Sequence, residues 1–156
     1  MRELQVVNAA ELAAAYADAH YSVLLDGETL PLRVGDPAAD LEAYWPARRY
    51  LFITAWNPAS EPRSDTANQT ADALLVGRLD DAGAVRQPAW AEGPGGEWRE
   101  PGWLLADLEP DECLRLAQEF GQAGVLAWQR GEPVRLRMMM ARPAGSAALT
   151  CVDWVE

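Results

Sequence analysis

A chain of 156 residues, 49% apolar and 24% charged, is long enough to bury a core and too apolar for intrinsic disorder. Its 24 acidic residues outnumber 13 basic ones, and a net charge of −11 repels both a phosphate backbone and an anionic membrane surface, which excludes them as expected partners. Two cysteines and one histidine make neither a disulfide framework nor a zinc site, and no apolar run reaches the length of a membrane span.

From the N-terminus, Asn8-Ala9-Ala10-Glu11 has the character of a capping box and opens a short helix with Leu12, Ala15, Tyr16 and Ala19 on its apolar face. Glu3, Asn8 and Glu11 interrupt any secretory signal, so a cytoplasmic protein is expected. Tyr21–Leu25 and Thr29–Val34 flank Asp26-Gly27, a strong hairpin signal. Asp36-Pro37 then starts a short helix through Leu41 and Tyr44, stopped by Pro46.

Tyr50–Trp56 is β-branched and aromatic with apolar residues on both parities, the pattern of a central strand buried on two faces. Asn57-Pro58 ends it. Ser64 caps a helix whose apolar positions Ala67, Ala71, Leu74, Leu75 and Leu79 recur at helical spacing. Asp80 and Asp81 oppose the helix dipole, so the expected end is near Leu79. Val85–Trp90 is a strand that Pro88 assigns to a sheet edge. A loop rich in Gly, Pro and acids separates it from the strand Trp103–Leu108.

Pro110 at a first helical position starts a helix presenting Cys113, Leu116, Ala117 and Phe120, closed by Gly121. Val125–Gln129 and Val134–Met139 pair as a hairpin across Arg130-Gly131, with Arg135 and Arg137 on one solvated strand face. Residues 1–140 are expected to form a single domain, and 141–156 a C-terminal extension with an added strand over Leu149–Val155. The fold class is α+β. The order from about residue 50 to 129 is β-α-β-β-α-β, a ferredoxin-like core with helices on one sheet face, to which an N-terminal helix and hairpin and a C-terminal hairpin are added.

ITAWNP (Ile53–Pro58), GEWREP (Gly96–Pro101) and EFGQ (Glu119–Gln122), with Ser60 and the segment around Asn68, carry a resemblance to a bacterial family catalogued as domain of unknown function 3293. The resemblance covers roughly residues 10 to 137. Where that family usually shows Ser after Glu-Pro, this chain has Gly102. The resemblance implies no activity, cofactor or catalytic residue.

The topology does imply a site. In a ferredoxin-like sheet the first strand is the antiparallel neighbour of the third and fourth, so Asn57, Glu100 and Gln122 share one end of the sheet. The helix N-terminus carrying Ser64 and Asn68 opens at the same end. One reading is a polar pocket formed by Asn57, Ser60, Arg63, Ser64, Asn68, Glu100 and Gln122, with the helix N-terminus beside Arg63 favouring an anionic group and Trp56 or Trp103 as an apolar wall. The other is that Asn57 and Asn68 brace the strand-to-helix turn while Gln122 satisfies loop backbone.

Function divides accordingly. A non-enzymatic binding or regulatory module would hold a small polar molecule or a protein at this edge or on an exposed sheet face. An enzyme would use Glu100 as general base, with Asn57 and Gln122 orienting substrate. Neither reading requires a metal or a cofactor. Cys113, without a paired base, is expected to be a reduced core thiol.

Overall fold

A computed structural model describes residues 9–155. Asn8, and with it the cap of the first helix, lies outside the described residues. The elements are α1 (Ala9–Asp18), β1 (His20–Leu25), β2 (Glu28–Leu32), α2 (Ala39–Tyr44), β3 (Arg49–Ile53), α3 (Asp65–Asp81), β4 (Val85–Glu92), β5 (Glu100–Ala106), α4 (Pro110–Glu119), β6 (Gly124–Gln129), β7 (Leu136–Met138) and β8 (Val152–Trp154). A 3-10 turn at Pro58–Ser60 lies between β3 and α3. The protein is therefore mixed α+β, with the eight strands of the described residues in one sheet ordered β2-β1-β4-β5-β3-β6-β7-β8.

β3 sits in the interior, antiparallel to both β5 and β6. Its alternating side chains build two cores, as the two-faced apolar pattern of YLFI requires. Leu51 and Ile53 join Leu105 and Val125 under Leu75 and Leu79 of α3 and Leu116 and Ala117 of α4. Tyr50 and Phe52 join Leu104, Leu126 and Trp128 on the opposite face. The two long helices thus share one face, as the βαββαβ order predicts. The second face is not open. Ala13 of α1 and Leu41 of α2 are buried against it.

The sheet curls around this second core. Val34, beyond β2 at one edge, bridges Val134, which precedes β7 near the other edge, and Gly35 N–H donates to the Val134 carbonyl at 2.9 Å. Tyr21, Val23 and Leu25 of β1 therefore share a core with Leu136, Met138 and Val152 from the far flank. Tyr50 stacks on Trp128 with ring centroids 5.2 Å apart. The Trp128 indole donates to Glu42 Oε2 at 3.1 Å, and Gly131 N–H donates to Glu42 Oε1 at 3.0 Å, which satisfies the buried carboxylate of α2.

Several boundaries depart from the sequence reading. β3 stops at Ile53 and not at Trp56, because the chain there leaves the ladder for a tight turn. α3 runs on to Asp81. Arg86 neutralises Asp80 at 2.9 Å, and Gly83, at φ +64, supplies the left-handed residue that ends the turn. β4 lies between β1 and β5 and is not an edge strand. Its ladder with β1 spans Ala89 to Glu92 and so begins one residue after Pro88, which removes no bond to β1. At the C-terminus, β8 adds to β7 in parallel. Arg135 grips Asp153 through two bonds of 2.8 and 2.9 Å, so this face of the basic strand is paired within the chain.

Candidate functional site

After Ile53 the chain turns sharply. Asn57, Ala59 and Ser60 all have positive φ, at 48, 57 and 60°, a run of left-handed residues without glycine. Each such residue costs roughly 1–2 kcal/mol and persists only where its surroundings fix it. The surroundings here are side-chain amides. Asn57 N–H donates to Asn68 Oδ1 at 2.9 Å, and Asn68 Nδ2 donates back to Asn57 Oδ1 at 2.9 Å. Arg63 N–H donates to the same Asn57 oxygen at 2.9 Å. Asn68 is 1% exposed, so it is a structural brace between turn and helix. From the other side, Gln122 Nε2 donates to the Trp56 carbonyl at 3.1 Å, and Ala59 N–H donates to the Gly121 carbonyl at 2.7 Å.

The start of β5 closes the set. Thr54 Oγ1 donates to the Pro101 carbonyl at 2.6 Å and accepts from Trp56 N–H at 3.0 Å. Asn57 Nδ2 donates to Glu100 Oε2 at 2.7 Å. Among the described residues, Glu100 Oε1 takes no hydrogen bond. Burial raises the Glu100 carboxyl above its usual range, opposed by the Asn57 bond.

Glu100 faces a pocket of about 350 Å³ between α1 and the end of the sheet. Its walls are Tyr16, Tyr21, Phe52 and Leu126, with Trp98 at the rim, 73% exposed. Tyr16 O–H bonds to Ser60 Oγ, tying α1 to the strained turn, and Tyr21 O–H donates to the Tyr16 carbonyl at 2.7 Å. Burial holds both phenols neutral, raising each above its ordinary value. The polar residues of the lining include Thr54, Asn57, Ser60, Glu92, Glu100 and Gln122, and no basic side chain among the described residues takes part.

Of the residues named from sequence, Asn57, Ser60, Glu100 and Gln122 come together on this pocket, whereas Arg63, Ser64 and Asn68 stand outside its lining. Ser64 caps α3, accepting from Ala67 N–H at 3.1 Å. Neither Trp56 nor Trp103 forms a wall. Trp103 lies on the opposite face, where its indole donates to Asp72 Oδ1 at 3.0 Å. The walls that sequence reasoning missed, Tyr16, Tyr21 and Phe52, belong to α1, β1 and β3. The parity of Phe52 with Thr54 was a usable signal for β3, but nothing local shows that α1 folds over that face.

Cys113 is a free thiol packed against the α3–α4 core, raised by burial to about 11, and Cys151 is also unpaired. No group of three or more His, Cys, Asp or Glu side chains among the described residues could hold a metal ion, and no described helix is long and apolar enough to cross a membrane.

The arrangement is thus a half-enclosed, aromatic-walled pocket on an α+β sheet, with one oriented carboxylate at its base. Residues 53–125 match the family described as "Protein of unknown function (DUF3293)", so the resemblance carried by ITAWNP and EFGQ is shown over that segment. Asn57, Glu100 and Gln122 fall inside the matched segment, and Tyr16 and Tyr21 precede it. No curated protein and no solved structure matches the chain.

Proposed function

We propose that this protein is a non-enzymatic binding module whose ligand is a small molecule seated between α1 and the end of the sheet, against Glu100. The observation that carries the reading is the pairing of Asn57 Nδ2 with Glu100 Oε2, which leaves the second carboxylate oxygen available at the base of an aromatic pocket. Ligand sites combine apolar walls with a few placed polar groups, and about 300–1,000 Å³ is their usual range. The amides of Asn57, Asn68 and Gln122 act in this reading as the frame that aims Glu100, not as the ligand's own partners.

The strand order β4-β5-β3-β6, with α3 and α4 on one face, supports a ferredoxin-like core over about residues 50–129 as the scaffold of that site. Such a core would carry the first helix and hairpin as additions that wall the pocket. A cytoplasmic setting fits the reduced thiols and belongs to the same proposal.

A thermal-shift screen of small metabolites against the wild type and Ala15→Trp tests the reading. Ala15 is an exposed residue of α1 that lines the pocket, so a large side chain there fills the space without entering the core. Ligands that stabilise the wild type and not the variant are expected. Equal stabilisation of both would contradict it.

The raised Glu100 carboxyl also favours a second reading, in which Glu100 serves as general base on a bound substrate. Conversion of a bound metabolite by the wild type, lost in Glu100→Gln, would decide for that reading.

A further inference from the structure

We infer that the ligand of this pocket is an organic cation, an amine with an aromatic or aliphatic body, whose ammonium group pairs with Glu100. The inference deepens the binding reading above and rests on it. Three independent features select a positive charge.

First, among the described residues the charged groups on the lining are Glu92 and Glu100, and no Arg or His belongs to it, although His20 is the cross-strand partner of Glu92. Because the described lining holds one sign of charge within a protein of net charge −11, an anionic ligand is repelled both locally and by the whole field. Second, Glu100 is already oriented by Asn57 at 2.7 Å, while its other oxygen takes no bond from the described residues. A half-buried carboxylate with an unfilled acceptor gains most from a charged donor, since charge-assisted bonds are roughly twice as strong as neutral ones. Third, the walls are rich in aromatic rings: Tyr16, Tyr21, Phe52 and the exposed Trp98 line the same pocket as Glu100. Aromatic faces attract cations and accept the apolar body of the same molecule. Among the described residues, the only other titratable groups on the lining are the Tyr16 and Tyr21 phenols, and burial keeps both neutral, so neither contributes a competing charge.

The test uses three probes of one shape and different charge: phenylpropylamine, phenylpropanol and phenylpropionate. Their affinities for the full chain are measured by calorimetry near neutral pH, on wild type, Glu100→Gln and Glu92→Gln. Phenylpropylamine is expected to bind about tenfold or more tighter than phenylpropanol, with phenylpropionate weakest. Glu100→Gln should reduce the amine's advantage to about twofold or less, and Glu92→Gln should reduce it by a smaller factor. Glu100→Gln is near-isosteric, and its melting temperature confirms that it folds. Equal binding of amine and alcohol, displaced in both cases by Ala15→Trp, would overturn the cation inference and leave the binding pocket standing. Binding by none of the three probes at millimolar concentration would overturn both.

Discussion

Asn57 holds Glu100 Oε2 at 2.7 Å, joining the turn after β3 to the first residue of β5 across 43 positions of sequence. That bond depends on a second one. Asn57 is itself fixed by the reciprocal amide exchange with Asn68 on α3, so the carboxylate is aimed by a residue that never reaches the pocket.

Removing this support should unfold the protein more easily without touching the pocket surface. Asn68→Ala leaves the Asn57 N–H and one lone pair of its side chain without buried partners, which costs about 1–3 kcal/mol. Urea denaturation measures it. A change smaller than about 0.5 kcal/mol would mean that water replaces Asn68 and that the brace is dispensable.

Gly102 is required by a close approach of two strands. A Cβ built there would meet the Ile53 carbonyl oxygen at 2.5 Å and the Thr54 Cα at 3.1 Å. Gly102→Ser should destabilise this chain by about 1–3 kcal/mol through overpacking. Thermal denaturation checks the sign. A stable Gly102→Ser protein would show that β3 and β5 can separate at this point.

Glu100 should make stability depend on pH in a defined direction. Its carboxyl is raised in the folded state, so between the ordinary carboxylate range and that raised value the folded protein binds more protons than the unfolded chain. Stability therefore falls as pH rises through that window, and the loss persists above it. Glu100→Gln removes the effect. The variant should match the wild type at acid pH and exceed it near neutrality, with the difference read from melting temperatures along a pH series. A variant less stable at neutral pH would mean that the ionised carboxylate stabilises the empty protein.

Cys113 is expected to be unreactive. With its thiol raised to about 11 against an ordinary 9.0, its thiolate fraction near neutrality is about a hundredfold below that of a free thiol. Iodoacetamide labelling followed by mass spectrometry should proceed more slowly at Cys113 by a comparable factor. Rapid labelling would show that α4 opens readily from the sheet.

The elements that build the site were legible because their chemistry is local. Ser64, Pro110 and Asp26-Gly27 punctuate the chain wherever they occur, and YLFI has one core's worth of residues on each parity. Directions of adjacent strands then followed from connectivity, which brought Asn57, Glu100 and Gln122 to one sheet end. The missing part was long-range. Pro88 is an edge signal only if its donor would be needed, and the β1 ladder stops at Ala89 for reasons outside β4. The bridge between Val34 and Val134 curls the sheet, yet neither valine differs from any other in sequence. Tyr16 looked like one residue of an amphipathic helix, and only the packing of α1 over the second face makes it a pocket wall.

The central claim is that the aromatic pocket over Glu100 is the binding site, and amide correlation spectra during titration with phenylpropylamine test it most directly. The account predicts saturable shifts confined to residues around the pocket, chiefly Tyr16, Asn57, Trp98, Glu100 and Gly124, and absent in Ala15→Trp. Shifts centred instead on the groove beside Cys113 and Arg49, or unaltered by Ala15→Trp, would contradict it.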